Sequence, residues 1–341
     1  MRRLPIFFVL DCSESMIGEN QQKLEEGMNA VIYDLKRDPH ALESVYVSVV
    51  AFAGIAKTIT NLIEVFSFYT PKLPIGSGTS LGAALEELMI QMDTAITKTT
   101  AEAKGDWKPI VFLLTDGKPT DDAMTSIQKW NDFYKTKAEI IAIAIGKYAD
   151  INILKKLTPN VLIFENIKEN DFKKFINWMT ASILSHSKSI GENKNATLFE
   201  NIDESVLKKI DTFEKHDVID VDCAVLVGKC QKYKKPYLIK YDCSLEDLTY
   251  ELTGCYQVDD NYFKWSDSQP SNSKINTSEL IGVPACPYCG ATSAFALCTC
   301  GNLMCVTGPG ESICPWCEKE VFFGSGAGDE DNNFDVNRGR G

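Results

Sequence analysis

The amino-acid sequence predicts a doubly wound α/β domain with a mostly parallel sheet, followed by a smaller β-rich domain of the zinc-ribbon type. Two observations predict this: apolar and amphipathic segments alternate up to about residue 186, and seven of the twelve cysteines lie between Cys286 and Cys317. With 341 residues, of which 44% are hydrophobic, the chain is long enough for two domains with separate cores. We expect an α/β domain at 1–187, a polar linker at 188–201, the β-rich domain at 202–323 and a disordered tail at 324–341.

Apolar, β-branched segments predict the strands of the first domain. They lie at 4–10, 45–53, 109–115, 139–146 and 160–166. Amphipathic helices are predicted at 80–92 and 171–184, where apolar residues recur every three or four positions. Nearly continuous apolar strands that alternate with helices indicate a parallel sheet covered on both faces.

The first predicted strand, LPIFFVL, follows two arginines and therefore also has some features of an export signal. An export signal needs about 7–15 apolar residues followed by small ones. Here Pro5 interrupts the apolar segment, and Asp11 stands where a small residue should precede Cys12. We interpret the segment as a buried strand. Because no other segment approaches the roughly 18 apolar residues of a membrane helix, we expect a cytoplasmic protein.

The composition argues against several classes of function. A net charge of −12 disfavours nucleic acid or an anionic membrane as the main partner, since both require a basic surface. Only three histidines, His40, His186 and His216, are present for acid–base catalysis. Twelve cysteines are many for a reducing compartment, where disulfides are rare, and their clustering indicates metal.

Polar side chains with oxygen atoms follow two of the predicted strands and precede one helix. Ligands of such folds bind at the carboxyl ends of the strands, where these residues lie. The set contains no imidazole or thiol, and hard oxygen ligands suit Mg²⁺ or Mn²⁺. Two carboxylates leave such an ion able to accept a carboxylate from another molecule, which favours binding over hydrolysis. The candidate ligands are Asp11, Ser13, Ser15, Thr79 and Asp116.

The same residues also have a purely structural interpretation. Asp11, Ser13 and Ser15 are suitable caps for a helix that begins near Glu19. Thr79 or Ser80 would cap the next helix, and Asp116 would form a turn with Gly117.

The motif D-x-S-x-S at Asp11–Ser15, the later Thr79 and the pair Asp116–Gly117 resemble the metal-ion-dependent adhesion site of von Willebrand factor type A domains. The resemblance covers roughly residues 1–187. It implies that Ser13, Ser15 and Thr79 contact the ion. Asp11 and Asp116 would hold the ion directly or through water.

The second half of the chain contains no recognisable functional motif before its cysteine-rich segment. A helix is predicted at 204–215, and strands at 218–228, 235–242 and 248–258. Two CPxC turns then follow, Cys286/Cys289 and Cys314/Cys317. Two such turns facing each other would close a tetrahedral Cys₄ zinc site, with Zn–S distances of about 2.3 Å.

The inner cysteines permit a different pairing. Cys298 and Cys300 would complete a ribbon with the first CPxC turn, and Cys305 would join the second. This second site would then need a fourth ligand. Its candidates are Cys230, Cys243, Cys255 and His216. The sequence alone therefore leaves one or two zinc ions open. Considered singly, Cys12, Cys223, Cys230, Cys243 and Cys255 are most simply free buried thiols.

The metal-site residues, the TDGKPTD segment and the SELIGVPACPYCG…CPWC segment together resemble the TerY-like proteins of bacterial tellurite-resistance and stress operons. This resemblance spans about residues 1–323. It implies a protein that works beside a serine/threonine kinase and a 2C-type protein phosphatase. The same resemblance implies a role in stress response or phage defence.

The sequence thus favours a non-enzymatic cytosolic adaptor that binds an acidic side chain of a partner through Mg²⁺. One alternative is a Mg²⁺-dependent phosphoester hydrolase, although the chain lacks a G-x-x-x-x-G-K-[ST] phosphate loop. Another is a zinc ribbon that binds nucleic acid or buffers metal. From 281 to 323, however, the segment contains three glutamates and one lysine. Its net charge is therefore negative, whereas binding phosphate requires a positive charge.

Overall fold

The computed structural model divides the chain into two compact units. It describes residues 2–145, 149–164, 169–192, 208–209, 223–244, 249–267, 273–324 and 333–339. The first unit consists of Met1–Cys12, Glu19–Leu73 and Thr79–His216. The second contains Asp217–Gly341 together with two short loops, Ser13–Gly18 and Pro74–Gly78.

The first unit contains a seven-stranded sheet in the order β3-β2-β1-β4-β5-β6-β7. Strand β1 runs parallel to β2 and β4, and the parallel pairing continues through β5 and β6. The edge strands β3 and β7 are antiparallel to their neighbours. This confirms the predicted mostly parallel α/β fold. The strands are β1 (Leu4–Asp11), β2 (Val45–Phe52), β3 (Ala56–Glu64), β4 (Ile110–Thr115), β5 (Glu139–Ile145), β6 (Val161–Phe164) and β7 (Lys208–Lys209).

Among the described residues of this unit, six α-helices accompany the sheet. They are α1 (Glu19–Leu35), α2 (Pro39–Ser44), α3 (Leu81–Ala95), α4 (Ala123–Phe133), α5 (Ile151–Leu157) and α6 (Glu169–Glu192). On α3, the apolar residues spaced three or four positions apart are all buried, as the sequence predicts. Leu85 and Leu88 pack in one core cluster with Trp130 of α4 and with Phe7 and Val9 of β1. Among the described helices, none combines the length and apolar character needed to cross a membrane.

Strand β3 was not predicted from the sequence. It forms a hairpin with β2, and all its residues are half-buried or exposed, with Lys57, Asn61 and Glu64 exposed. An edge strand with one exposed face has no continuous apolar segment, and this is the signal by which the central strands were recognised.

The secondary structure near the end of the first unit differs from the prediction in two places. Helix α6 continues to Glu192, so the start of the predicted linker at 188–201 is helical; its remainder lies outside the described residues. The predicted helix at 204–215 is wrong at Lys208–Lys209, which pair antiparallel with Leu162 and Ile163 of β6. Here backbone hydrogen bonding to the edge of β6 outweighs the helix propensity of the local sequence.

The second unit is β-rich, as predicted. Its main sheet has six strands in the order β12-β10-β9-β8-β14-β13, and two-stranded sheets form from β11 with β17 and from β15 with β16. The described part of this unit also contains a short α-helix, α7 (Tyr262–Trp265). The strands are β8 (Cys223–Lys229), β9 (Pro236–Ser244), β10 (Thr249–Gln257), β11 (Lys274–Asn276), β12 (Leu280–Ile281), β13 (Ser293–Leu297), β14 (Leu303–Val306), β15 (Gly310–Ile313), β16 (Glu320–Phe323) and β17 (Asp335–Asn337).

The predicted disordered tail at 324–341 is wrong for residues 333–339. Strand β17 pairs antiparallel with β11. Val336 is buried in the core of the second unit, and Phe334 packs against the same cluster. Two apolar residues at alternate positions lie on one face of a strand, which is enough to anchor a segment that is otherwise polar.

Asp121 stabilises the start of α3, although it lies far away in sequence. Its carboxylate accepts hydrogen bonds from the backbone N–H groups of Gly82 at 3.1 Å and Ala83 at 2.9 Å. The substitution Asp121→Ala is expected to lower the free energy of unfolding by about 1 kcal/mol, because these N–H groups lose their acceptor. Urea denaturation measures the change. Asp132→Ala, at an exposed position of α4, is the control. Equal stability of the two variants would contradict this role.

Candidate metal centres

Asp11 and Asp116 lie at the carboxyl ends of two adjacent strands. Strands β1 and β4 pair in parallel up to Leu10 and Leu114. Immediately beyond this pair, the Thr115 hydroxyl donates a hydrogen bond of 2.5 Å to Asp11 Oδ2. Asp11 is buried, and Asp116 follows Thr115 directly and is partly buried. The sheet thus brings both carboxylate-bearing residues to one edge.

Thr79 lies against the loop that follows β4. Its backbone N–H donates to Thr120 Oγ1 at 2.9 Å, and the backbone N–H of Thr120 donates to the Thr79 carbonyl oxygen at 2.9 Å. The Thr79 side-chain hydroxyl, in contrast, is buried and has no hydrogen-bond partner. A buried hydroxyl without a partner costs about 1–3 kcal/mol. This orphaned oxygen fits a cation ligand.

Gly117 keeps the space beside Thr79 open. A Cβ atom at this position would lie 3.1 Å from Thr79 Oγ1. Any larger residue would therefore crowd the hydroxyl that is predicted to face the ion.

The capping interpretation fails for Thr79 and Ser80. Ser80 precedes α3 but makes no side-chain cap, and its hydroxyl donates to the Gly54 carbonyl oxygen at 2.9 Å. Asp121 accepts from the first N–H groups of the helix instead.

Ser13 and Ser15 flank Glu14 at the start of a short 3-10 helix, Glu14–Met16, in the second unit. Their hydroxyl oxygens lie 3.0 Å apart. Ser13 is fully buried, forms a parallel bridge with Gly76 and makes no side-chain cap. The turn thus holds two hydroxyls side by side, as a shared ion requires.

All five predicted ligands of the oxygen-rich site occupy polar turns or strand ends. Asp11, Thr79 and Asp116 belong to the first unit, whereas Ser13 and Ser15 belong to the second. The donors are carboxylates and hydroxyls, which suit a hard divalent cation.

Eight cysteines form two compact sulfur clusters in the second unit. Within each cluster the four Sγ atoms lie within 4.8 Å of one another. The Sγ atoms of Cys289 and Cys305 are 3.7 Å apart, and those of Cys300 and Cys314 are 3.8 Å apart. A tetrahedral Cys₄ zinc site with Zn–S bonds of about 2.3 Å has S···S edges of about 3.8 Å. The first cluster is Cys230, Cys286, Cys289 and Cys305, and the second is Cys298, Cys300, Cys314 and Cys317.

Both predicted cysteine pairings are wrong. The two CPxC turns belong to different clusters, and the first of them does not combine with Cys298 and Cys300. The reason is strand pairing: β14 runs parallel to β8, with Leu303 opposite Gly228 and Met304 opposite Lys229. The next residues in this register are Cys305 and Cys230.

All seven predicted zinc-binding cysteines lie in the clusters, but Cys230 was predicted only as one of four possible additional ligands. Its turn has the same backbone pattern as the CPxC turns. The N–H of Cys230 donates to the Lys235 carbonyl oxygen, and Lys234 N–H donates to the Cys230 carbonyl oxygen. Cys286 makes the equivalent bonds with Ala291 and Gly290.

The residue that closes each turn adopts a left-handed conformation, which is energetically unfavourable for most residues other than glycine. In the Cys230 turn this residue is Lys234, with φ of 57°, and in the first CPxC turn it is Gly290, with φ of 71°. Tyr233 replaces the second cysteine of the Cys230 turn. The missing second cysteine is why a search for C-x-x-C overlooks Cys230.

Two thiols of the second cluster, Cys300 and Cys314, differ in their pKa. Burial raises the pKa of Cys314 to about 12. Burial acts in the same direction at Cys300. There, however, hydrogen bonds from Asn302 and from the thiols of Cys298 and Cys314 outweigh it and lower the pKa to about 7. Because metals bind thiolates, loading of this cluster releases protons and weakens as the pH falls.

Comparison with protein families agrees with both halves of this description. Residues 6–178 match the model of the von Willebrand factor type A domain, and residues 220–341 match that of the TerY-C metal binding domain. The chain belongs to the von Willebrand factor type A family. The expected combination of this domain with a TerY-type metal-binding domain is confirmed, and the protein binds metal.

Solved structures similar to this chain include other von Willebrand factor type A proteins. A von Willebrand factor type A protein from Catenulispora acidiphila is 18% identical, with a TM-score of 0.39, over 54% of this chain and 43% of its own. Proximal thread matrix protein 1 from the mussel byssus is 17% identical, with a TM-score of 0.39, over 53% and 48%. The ArnB paralog VWA2 from Sulfolobus acidocaldarius is 16% identical, with a TM-score of 0.40, over 53% and 45%. The match thus covers less than half the length of each of these proteins.

The two clusters predict a zinc content of two ions per chain. Cys230→Ser and Cys300→Ser are each expected to reduce this content to one, because each removes a ligand from a different cluster. Elemental analysis of protein dialysed against a weak chelator measures the ratio. Cys243→Ser is the matched control, since Cys243 lies in the same unit but outside both clusters, and it should retain two ions. Loss of zinc from this control, or retention of two ions by Cys230→Ser, would contradict the assignment.

Proposed function

We propose that this protein is a non-enzymatic adaptor that binds an acidic side chain of a partner protein through a divalent metal ion. The ion is Mg²⁺ or Mn²⁺, and its ligands are Asp11, Ser13, Ser15, Thr79 and Asp116. The buried Thr79 hydroxyl without a hydrogen-bond partner is the observation that carries the proposal. The family of the chain also supports the proposal, because von Willebrand factor type A domains generally mediate protein–protein interactions.

The charges of the ligands explain why a partner carboxylate would bind. Three of the five ligands are neutral hydroxyls, so only Asp11 and Asp116 offset the charge of the ion. Asp11 also accepts the Thr115 hydroxyl, which fixes one of its oxygens within the protein. An ion with these ligands keeps affinity for a further hard oxygen atom, and a carboxylate supplies one.

The cysteine clusters have a structural role in this proposal. Each would hold one Zn²⁺, and each such ion contributes about 10–16 kcal/mol of apparent binding energy, which is also folding energy. The second cluster lies in a small apolar group with Met304, Val306 and Trp316. So small a core needs the metal to fix its turns.

The resemblance to TerY-like proteins supports a particular cellular setting. In this setting the partners are a serine/threonine protein kinase and a 2C-type protein phosphatase, in a bacterial stress, tellurite-resistance or phage-defence system. A cytoplasmic location agrees with the cysteines, since none of the twelve forms a disulfide and a reducing compartment keeps thiols available for metal.

Substitutions of Thr79 test the oxygen-rich site. Thr79→Val removes the hydroxyl at nearly constant volume and is expected to weaken Mn²⁺ binding tenfold or more, since the loss of about 1.4 kcal/mol already has this effect. Thr79→Ser keeps the hydroxyl and should bind as the wild type does. Titration followed by electron paramagnetic resonance measures free Mn²⁺ in zinc-loaded protein. Equal affinity of Thr79→Val and wild type would exclude Thr79 as a ligand.

The adaptor function itself predicts metal-dependent capture of a partner. Tagged protein is incubated with the cytosol of its own source in Mg²⁺, in EDTA, and as the Asp11→Ala variant. We expect a kinase or phosphatase to be retained only by the wild type in Mg²⁺. A partner that is retained in all three conditions would show that the ion is not the point of contact. Turnover of a phosphoester by the purified protein, lost in Asp116→Ala, would instead favour a hydrolase.

A further inference from the structure

Glu14 is a buried carboxylate within the second unit. It lies between Ser13 and Ser15 in sequence and has no exposed surface. The Tyr262 hydroxyl donates a short hydrogen bond to Glu14 Oε1, and the Ser77 hydroxyl donates to Oε2 at 3.1 Å. Burying a carboxyl group is costly unless it is hydrogen-bonded, and these two hydroxyls supply hydrogen bonds that offset this cost at Glu14.

Lys240 holds the next residue of the same turn. Only 9% of Lys240 is exposed, and its Nζ donates to the Ser15 backbone carbonyl oxygen at 2.7 Å. The turn itself is closed by Met16 N–H, which donates to the Ser13 carbonyl oxygen, and by Ile17 N–H, which donates to that of Glu14. Every residue from Ser13 to Ile17 thus takes part in a hydrogen bond to its surroundings or within the turn.

Ile17 anchors the end of the turn by apolar contact. Its side chain is buried in a cluster with Val225, Leu238, Val258 and Tyr262. Tyr262 therefore acts twice: its ring packs near Ile17, and its hydroxyl binds Glu14.

The Pro74–Gly78 loop is fixed from the same side. The backbone N–H of Ser77 donates to Ser266 Oγ at 2.9 Å, and the N–H of Asp267 donates to the Ser77 carbonyl oxygen at 2.8 Å. Gly76 approaches so closely that a Cβ atom there would lie 2.5 Å from the Trp265 carbonyl carbon. These contacts place the Ser77 hydroxyl where it reaches Glu14.

We propose that Glu14, Tyr262 and Lys240 are positioning residues that fix the Ser13 and Ser15 hydroxyls for the divalent ion. The inference rests on the proposed function, because it takes the two serines as ligands. A serine hydroxyl rotates freely and is a weak ligand, so two of them bind well only when their backbone is held in place. Groups behind metal ligands typically change metal affinity by about 10–100-fold when they are removed.

Tyr262→Phe provides the test, because it removes the hydrogen bond to Glu14 and keeps the ring. Tyr288→Phe is the matched control. Its hydroxyl donates to the Val258 carbonyl oxygen at 2.6 Å in the same unit, and not to Glu14. Both full-length variants are prepared with zinc, and two properties are measured. One is hydrogen exchange of peptides covering residues 13–18 without Mg²⁺ or Mn²⁺, and the other is Mn²⁺ affinity.

We expect Tyr262→Phe to accelerate exchange at Met16 and Ile17 and to weaken Mn²⁺ binding by about tenfold, and Tyr288→Phe to change neither. Unchanged exchange and affinity in Tyr262→Phe would overturn the proposal. Faster exchange in a protein that binds no Mn²⁺ even as wild type would support the role of Tyr262 in holding the turn and refute the proposed function.

Lys240→Met is a second variant, in case Tyr262→Phe unfolds. It removes the donor to the Ser15 carbonyl oxygen and should accelerate exchange of the same segment. If its exchange and Mn²⁺ affinity equal those of the wild type, Lys240 does not position the turn.

Discussion

The parallel pairing of β1 with β4 is the constraint on which the oxygen-rich site depends. Both strands are buried along their whole length, so their register is fixed by the core and cannot shift without moving apolar side chains. This register brings Asp11 and Thr115 into hydrogen-bond contact and places Asp116 at the same edge. The positions of these polar side chains are thus set by the packing of the apolar residues that precede them in the two strands.

A second strand pairing has the same importance for the cysteine clusters. Because β14 lies parallel to β8, Cys305 is brought to the Cys230 turn, which contains no second cysteine of its own. The β13–β14 turn, with Cys298 and Cys300, and the β15–β16 turn, with Cys314 and Cys317, then supply the other cluster. The sheet selects which sulfur atoms meet, and a metal ion bound to them would hold turns that have little apolar core around them.

The two kinds of site differ in how their ligands are held. Apart from Cys305, which lies in β14, the clustered cysteines lie on turns in which N–H groups point towards sulfur. The Tyr233 N–H points to Cys230 Sγ at 3.4 Å, and the Trp316 N–H points to Cys314 Sγ at 3.4 Å. The hydroxyls of Ser13 and Ser15 depend instead on a buried network around Glu14. Strong thiolate ligands tolerate independent turns, whereas weak neutral hydroxyls require a backbone that is fixed in advance.

The sequence by itself determined the α/β class, the central strands, the α3 stripe, the oxygen-bearing residues and seven of the cysteines in the clusters. These features are local, since each is a period, a spacing or a residue type within a few positions. Only the tertiary structure decided the pairing of the cysteines, the inclusion of Cys230, the edge strands β3 and β7, the ordered β17 and the environment of Glu14. Each of these depends on contacts between residues that are distant in sequence, where strand register and burial, and not local pattern, select the partner.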